Sequence, residues 1–383
     1  MRIVLIVVVI ILGLVVVLPF ILSIAGVRVL QFSSIGGGSG RAGEGILISV
    51  DGGDNWAKVN LSEDPKTQPF PKGVFDIAFH PQDENTIFLG SDDSGLWQSI
   101  NKGKSWRKVF DAAKVLDVKS DVYKVALSPS NPLVIYLAVF QGNRGRVLKS
   151  TDGGKSFREI YFASANRYGV FDIYVYPTDP ERLLIATGQG GILESLNGGR
   201  TWRVIKWFSE SLARIIVNPR YPSEMYVVTS SGNLFKTLDG GANWADLPEV
   251  LSEVKSVPYP PPGAVNPFNF LSSNRTLEEF IVDPVGFDTA YIGSRSGLLR
   301  SVNGGHTWQR LDLLVPPEAL PVDAVAVHPE DPVLIFAAAS NQLYRSGDGG
   351  TNWSVDILPT SSRIKTLLIH PLRPEVMFAI LGR

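Results

Sequence analysis

An eight-residue phrase of the form Ser/Thr-x-Asp/Asn-Gly-Gly-x-x-Trp recurs seven times and constrains the fold of this chain more than any other feature. Successive copies begin 42 to 64 residues apart, mostly near 45 to 50. A period in this range indicates an array of supersecondary units that stack against one another. The seven copies begin at Ser49, Ser99, Ser150, Ser195, Thr237, Ser301 and Ser346.

Each repeat has the pattern of four short strands. In the first complete unit, residues 75–80 alternate apolar and other side chains up to Pro81, and short apolar runs follow at 86–89, 95–99 and 106–109. Runs of about five residues with turn residues between them are typical of short antiparallel strands. Four such strands per repeat form a propeller blade, so the chain is expected to be all-β.

The prolines predict how the array closes. A proline ends the first strand of each unit, and the phrase follows 17 to 21 residues after each of the first six. Pro371 is followed by no phrase, whereas the phrase at Ser49 is preceded by no such proline strand. We therefore expect residues 363–379 and 45–60 to share one blade, giving a seven-bladed propeller closed by pairing of N- and C-terminal strands. Closure removes exposed strand edges; an open or differently numbered array is the alternative.

The phrase itself is interpreted as structural. Its glycines allow positive φ at a hairpin tip, its Asp or Asn holds the turn, and its Trp is a large apolar anchor. Lys102 takes the place of the first glycine in one copy, and that turn should be less permissive. The structural pairs are Asp51 and Trp56, Asn101 and Trp106, Asp152 and Phe157, Asn197 and Trp202, Asp239 and Trp244, Asn303 and Trp308, and Asp348 and Trp353.

The start of the chain predicts a membrane anchor. No charged residue occurs from Ile3 to Val27, a run longer than the roughly 20 residues that span a bilayer. We interpret residues 1–28 as an uncleaved transmembrane helix; a cleaved signal peptide or a buried soluble helix are the alternatives. A Gly/Ser-rich tether at 29–44 then leads to the propeller at 45–383. Arginines on both sides nearly balance the positive-inside count, and we expect the propeller outside the cytoplasm, periplasmic or extracellular, as suits a Cys-free, strand-rich array.

The phrases resemble the Asp-box, or BNR, repeats of sialidases, sortilin-type receptors, xyloglucan-cleaving glycosidases and photosystem II assembly-factor-like propellers. The resemblance covers residues 45–383 and is specific for the hairpin, whereas this fold carries unrelated functions. Sialidases of this kind have six blades and an Arg-Ile-Pro motif, which is missing here. Sortilin-type receptors add a Cys-rich module, and this chain has no cysteine.

The resemblance leaves two classes of function. Assembly-factor-like propellers imply a membrane-anchored, non-catalytic protein-binding or assembly scaffold, which is the main expectation. Xyloglucanase-like propellers imply a glycoside hydrolase or a carbohydrate-binding domain, but they place their carboxylates between two tandem propellers. Asp92 and Asp93 are the weak catalytic candidates, because hydrolysis needs two carboxylates about 5 to 9.5 Å apart. No cofactor is expected, and a net charge of −1 does not favour nucleic acid.

Binding residues are expected on the face opposite the Asp-box hairpins, where loops between the second and third strands join the connections between blades. Those segments vary most among the repeats, as binding loops on a rigid scaffold do. A long insert at 251–276 is the strongest candidate. The predicted binding residues are Arg144, Arg146, Trp207, Tyr259, Phe268, Phe270 and Arg295. No metal site is expected, because His80, His328 and His370 occupy equivalent positions in three different blades.

Overall fold

The computed structural model describes residues 42–59, 62–63, 70–71, 73–247, 277–294, 297–315 and 321–382. The 28 elements named in these ranges are all β-strands, and they form seven four-stranded antiparallel sheets. First strands of successive sheets pack side by side, for example β3 on β7 and β7 on β11. The sheets are therefore the blades of a propeller, and the prediction of an all-β, seven-bladed architecture is confirmed.

The blades are numbered from the first complete sheet, with the innermost strand given first. Blade 1 contains β3 (Val74–Phe79), β4 (Ile87–Ser91), β5 (Leu96–Ser99) and β6 (Arg107–Lys108). Blade 2 contains β7 (Asp121–Leu127), β8 (Ile135–Gln141), β9 (Arg144–Ser150) and β10 (Arg158–Phe162). Blade 3 contains β11 (Val170–Tyr176), β12 (Asp179–Thr187), β13 (Gly191–Ser195) and β14 (Arg203–Trp207). Blade 4 contains β15 (Leu212–Val217), β16 (Met225–Thr229), β17 (Leu234–Thr237) and β18 (Ala245–Asp246).

The remaining blades follow the same order. Blade 5 contains β19 (Leu277–Val282), β20 (Ala290–Ser294), β21 (Gly297–Ser301) and β22 (Gln309–Leu311). Blade 6 contains β23 (Ala324–Val327), β24 (Ile335–Ala339), β25 (Gln342–Ser346) and β26 (Ser354–Ile357). Blade 7 contains β27 (Arg363–Ile369), β28 (Met377–Gly382), β1 (Ala42–Ser49) and β2 (Ala57–Val59).

Blade 7 combines strands from the two ends of the sequence. β1 lies between β2 and β28, with Ile46 opposite Ile380 and Ser49 opposite Met377. β1 begins at Ala42, inside the segment predicted to be a tether. The apolar run from Ile3 to Val27 lies outside the described residues, and within the described ranges we find no helix long and apolar enough to cross a bilayer.

Each Asp-box hairpin holds its own shape by hydrogen bonds. In the first copy the Ser49 hydroxyl accepts from Gly53 N–H at 2.9 Å and donates to the Asp51 carboxylate at 2.8 Å. Asn55 donates to Asp51 from its side chain and backbone, and these bonds lower the pKa of Asp51 to about 2. The same bonds recur in the other copies, for example at Asp239 and Asp348. The phrase is thus a self-contained turn, as the sequence predicted.

The aromatic residue of the phrase packs into the core. Trp106, Phe157 and Trp353 are buried, and the tryptophans of the other four copies are partly buried against the adjoining cores. Trp97, outside the phrase, is also fully buried. Lys102 has φ of 62°, so a side chain occupies the left-handed conformation that glycine adopts elsewhere, as its sequence position predicted.

Cations immediately before the phrase join neighbouring blades, a feature that the sequence analysis missed. Lys149, Lys236, Arg300 and Arg345 each lie over an aromatic ring of their own blade. Each donates to the first glycine carbonyl of the next blade's Asp-box, at distances between 2.9 and 3.4 Å. The signal was a Lys or Arg directly before the first Ser or Thr in four of the seven copies.

Candidate functional site

The two faces of the ring differ in construction. The Asp-box hairpins bond to the proline turns beside them, as in Gly153 N–H to Leu133 C=O at 2.9 Å and Gly52 N–H to Glu375 C=O at 2.8 Å. We call this side the Asp-box face. The opposite side, the loop face, carries the turns between second and third strands and the connections between blades. Binding residues were predicted on the loop face.

The hairpin of blade 2 projects from the loop face on two long strands. Its strands β8 and β9 have seven residues each, whereas the corresponding strands of blades 1, 4, 5 and 6 have four or five. Gly142 and Asn143 form its tip with φ of 59° and 62°, the two-residue turn that matches strand twist. Arg144 follows directly after this turn, near the tip of the hairpin.

Arg144 is fixed above an exposed aromatic ring. Its guanidinium lies 5.3 Å from the ring centroid of Phe162 and donates to Asn166 Oδ1 at 2.9 Å. Phe162 ends the outermost strand of the blade and is 51% exposed. A guanidinium stacked on an aromatic face presents both a flat apolar surface and free N–H donors.

A depression of about 660 Å³ lies beside this hairpin. Its lining includes Phe110, Lys114 and Val118 from the connection into blade 2, and Arg146 from β9. Arg146 forms an ion pair with Glu159, which holds its side chain across the strand. The connection is held by Asp111, whose carboxylate accepts four backbone N–H groups, those of Ala113, Val115, Leu116 and Phe157. A defined loop therefore positions exposed apolar and cationic groups around one concavity.

Trp207 continues the exposed aromatic surface into blade 3. It ends β14, lies over Gly191 and is 52% exposed. Phe110 and Phe162 occupy comparable places at the loop-face ends of the outer strands of blades 1 and 2, and Phe110 is 58% exposed. Three neighbouring blades thus each end in an exposed aromatic side chain.

Asp92 and Asp93 lie in the loop after β4, near β7 of blade 2. Asp93 N–H donates to Asp121 Oδ1 at 2.9 Å. Burial, followed by the charge of Asp121 and a hydrogen bond with it, raises the pKa of Asp92. Two carboxyl groups in hydrogen-bond contact are closer than the roughly 5 Å that separates even retaining catalytic pairs. Asp92 therefore lies against Asp121 of the next blade, closer than the carboxyl groups of a catalytic pair.

The central channel is small and lined by paired charges. It encloses about 140 Å³, and its lining includes Asp76, Lys124, Asp172, Arg214 and Glu279 on the inner strands of blades 1 to 5. These residues occupy the same position, five before the strand-ending proline, and their charges alternate around the ring. Lys124 lies 3.0 Å from Asp76, and Arg214 bonds to Glu279. The two pairs use these charges to join blade 1 to blade 2 and blade 4 to blade 5.

The structure therefore brings Arg144 and Arg146 together with Phe110 and Phe162, and places Trp207 one blade further on. Tyr259, Phe268, Phe270, Arg295 and the whole insert at 251–276 lie outside the described residues. Phe110, Lys114 and Phe162 were not predicted from the sequence. The signal for the two phenylalanines was an aromatic residue 11 or 12 positions after the first Ser of the phrase, which occurs in blades 1, 2 and 3.

The histidines serve the turns. His80 and His328 accept backbone N–H groups of the turn through Nδ1, and His370 does so while its Nε2 lies 3.2 Å from Glu84 O. Within the ranges that the structure describes, no three His, Cys, Asp or Glu side chains are grouped to hold a metal ion.

Comparison with curated proteins finds partial matches to xyloglucanases. The chain is 26% identical over 158 residues to an oligoxyloglucan-reducing end-specific xyloglucanase of Emericella nidulans, and 30% identical over 141 residues to Xyloglucanase Xgh74A of Acetivibrio thermocellus. These alignments cover 36% and 30% of this chain but only 18% and 16% of the relatives. No protein-family model matches.

Solved structures extend the similarity to most of the chain. The GH74 xyloglucanase of Xanthomonas campestris superposes with a TM-score of 0.62 at 16% identity, covering 81% of this chain and 50% of that one. YCF48 bound to D1 peptide superposes with a TM-score of 0.60 at 15% identity, covering 81% of this chain and 92% of that one. YCF48 of Cyanidioschyzon merolae superposes with a TM-score of 0.58 at 15% identity, covering 80% of this chain and 95% of that one. The chain is a seven-bladed propeller similar to both groups, as the Asp-box resemblance predicted; at these identities the likeness concerns the fold.

Proposed function

We propose that this protein is a non-catalytic scaffold that binds a peptide segment of a protein partner on the loop face of blades 1 to 3. The observation that carries the proposal is the surface formed by Arg144 stacked on Phe162, the depression beside it, and Trp207. Exposed aromatic and arginine side chains around a concavity are the groups that dominate protein recognition.

Two further points support a binding role over chemistry. The Asp92 and Asp121 carboxyls contact each other, a geometry that suits neither class of glycosidase. The superposition on YCF48 covers nearly all of that chain, whereas the superposition on the xyloglucanase covers half. One of the YCF48 structures holds a D1 peptide, and peptide binding is transferred here as part of the proposal.

The proposal includes membrane anchoring. The uncharged run from Ile3 to Val27 is long enough to span a bilayer, and we place the propeller outside the cytoplasm. Flotation of the full chain with neutral liposomes at high salt tests the anchor, and protease protection in sealed vesicles tests the orientation. Recovery of the chain without lipid would contradict the anchor.

The binding site is tested by panning a peptide-display library against the full chain. Enriched peptides should lose at least tenfold in affinity for Arg144→Ala combined with Phe162→Ala. The matched control combines Arg310→Ala with Ile357→Ala, which removes an arginine and an exposed apolar residue from blades 5 and 6. Equal effects of the two variants would refute the site. Deletion of residues 251–276 tests the insert separately. Unchanged peptide affinity after the deletion would show that the insert is not part of the binding site.

A xyloglucan-directed hydrolase is the second candidate, and Asp92 is the observation that favours it. Its raised pKa is a property of a general acid, and the curated relatives are xyloglucanases. This function requires release of sugars from xyloglucan by the full chain and its loss in Asp92→Asn. Absence of any release from the unchanged chain would eliminate it.

A further inference from the structure

Positive charge is unevenly distributed along the chain. Residues 101–167 contain 13 Lys and Arg but only five Asp and Glu, although the whole chain has 36 and 37. We number the Asp-box positions from its first Ser or Thr. Position 6 then lies at the hairpin tip, and position 9 lies at the start of the outermost strand.

Both positions are cationic in three consecutive blades. In blades 1, 2 and 3 they hold Lys104 and Arg107, Lys155 and Arg158, and Arg200 and Arg203. In the other four blades the same two positions hold no Lys or Arg; they are Asp54 and Ala57, Ala242 and Ala245, His306 and Gln309, and Thr351 and Ser354. All six cations are exposed. We call these six residues the cationic rim.

The fold does not require the cationic rim. Charged side chains on an outer strand do protect its edge from pairing with other chains, but blades 4 to 7 have the same edge without them. Among the described residues, Lys104, Lys155, Arg158 and Arg200 have no ion-pair partner, whereas Arg203 pairs with Glu194. Cations without an ion-pair partner, repeated over three adjacent blades, therefore form a surface that is suited to binding an anionic partner.

The same edge of the molecule also exposes aliphatic side chains on the Asp-box face. Position 2 of the phrase is Ile100 in blade 1 and Leu196 in blade 3, exposed by 50% and 57%, and it is an exposed aliphatic residue in blades 4, 5 and 7 as well, so the cations and not the aliphatic groups distinguish this edge. In blade 2 the equivalent surface is supplied by Leu133, which is 57% exposed and lies 3.4 Å from a Cβ built on Gly153 of the hairpin. Cations interspersed with exposed aliphatic groups are the composition of surfaces that bind anionic bilayers.

We propose that the cationic rim docks the propeller on an anionic lipid surface. A bilayer is favoured over a polymer because the cations are spread over three blades, and neither the loop-face depression nor the central channel includes them. The bilayer is also the partner already expected beside this domain. The 14 residues from 28 to 41 reach at most about 50 Å, which allows the rim to meet the membrane that holds Ile3 to Val27. This last point rests on the proposed anchor.

The absence of cysteine makes the test direct. Val204 and Val355 occupy the same place, position 10, in blades 3 and 6, and are 44% and 42% exposed. The full chain, carrying Val204→Cys or Val355→Cys labelled with a donor fluorophore, is reconstituted in nanodiscs that contain acceptor-labelled lipid. With phosphatidylglycerol in the disc and low salt, the label at 204 should transfer more energy than the label at 355. Neutral lipid or high salt should remove the difference.

Charge variants then assign the effect to the rim. Replacing the hairpin-tip residues Lys104, Lys155 and Arg200 with Gln should weaken docking by about fivefold per cation. The matched control replaces Lys58, Lys119 and Arg220, exposed cations outside the rim, and should leave docking unchanged. Equal transfer from both labels, or equal effects of the two triple variants, would overturn the proposal. So would rim-dependent binding to heparin without any rim-dependent binding to lipid. Failure of the anchor is recognised separately, because the chain would then not float with neutral liposomes.

Discussion

Arg345 Nη1 lies 2.7 Å from Asp54 Oδ1, although 291 positions separate the two residues in sequence. The contact joins blade 6 to the blade that combines both ends of the sequence. Arg345 also donates to Gly52 C=O at 2.9 Å and lies 5.5 Å from the centroid of the Phe336 ring. Asp54 is 63% exposed and Arg345 only 27%, so the two partners should contribute unequally.

Arg345→Ala should lower the free energy of unfolding by about 2 kcal/mol, because the partly buried Gly52 carbonyl loses its charged donor and the Phe336 ring loses its cover. Asp54→Ala should change it by less than about 0.5 kcal/mol, as exposed ion pairs do. Urea unfolding of the two variants measures both values. Equal losses would mean that the surface ion pair, and not the bond to Gly52, stabilises this blade junction.

Gly103→Ala should be more harmful than Gly154→Ala. Both are the second glycine of an Asp-box, with φ of 82° and 89°. A Cβ at Gly103 would lie 2.7 Å from the buried ring of Phe378 in blade 7, whereas at Gly154 the nearest atom is 3.7 Å away. We expect a loss of about 1 kcal/mol at Gly154 from backbone conformation alone. At Gly103 overpacking should add about 1 to 3 kcal/mol. Thermal unfolding of both variants provides the comparison.

Removing one member of a channel ion pair should cost more than replacing both. Glu279 is 4% exposed and is paired with Arg214, and its burial raises its pKa. Arg214→Met should therefore lower the free energy of unfolding by about 3 to 5 kcal/mol by leaving a buried carboxylate unpaired. Adding Glu279→Leu should restore most of the loss. A double variant as unstable as the single one would refute this explanation.

His370 should make stability depend on mildly acidic pH. Its burial lowers the pKa from 6.5, so the folded protein binds this proton less readily than the unfolded chain does. The contribution of neutral His370 to the free energy of unfolding is complete above about pH 6.5. It is lost as the pH falls from there through the lower pKa that His370 has in the folded protein. His370→Asn should flatten this part of the profile while keeping the turn, because Asn218 caps the equivalent turn of blade 4 through its Oδ1. His80, whose pKa is also lowered, should leave a residual slope in the variant.

The fold could be predicted in detail because the Asp-box is a local device. Ser49, Asp51 and Asn55 complete their hydrogen bonds within seven residues of sequence, so the hairpin is readable without knowing its neighbours. The strand-ending prolines then predicted that the two ends of the sequence share one blade. The cations before the phrase were overlooked because their partners, such as Gly52 for Arg345, lie in another blade.

The site was less predictable than the fold. Arg144 and Arg146 were found because the blade 2 hairpin is visibly longer in sequence. Phe110 and Phe162 were missed because an aromatic residue at the end of a strand is usually part of the core, and the sequence alone does not show that these two side chains are exposed. Asp92 and Asp93 were predicted as a pair because they are neighbours in the sequence. The carboxyl that contacts Asp92 comes instead from Asp121 on the next blade, a pairing that only the packing of blades creates.

The position of β1 between β2 and β28 imposes an order in time on biosynthesis. A ribosome makes β1 early, yet its partner β28 ends at Gly382, so β1 must wait through the synthesis of six blades. During that interval Ile46, Leu47 and Ile48, all buried in the finished ring, remain available to chaperones or to other chains. Blades 1 to 6 can form as they emerge, and the sheet of blade 7 can be completed only after translation has reached β28.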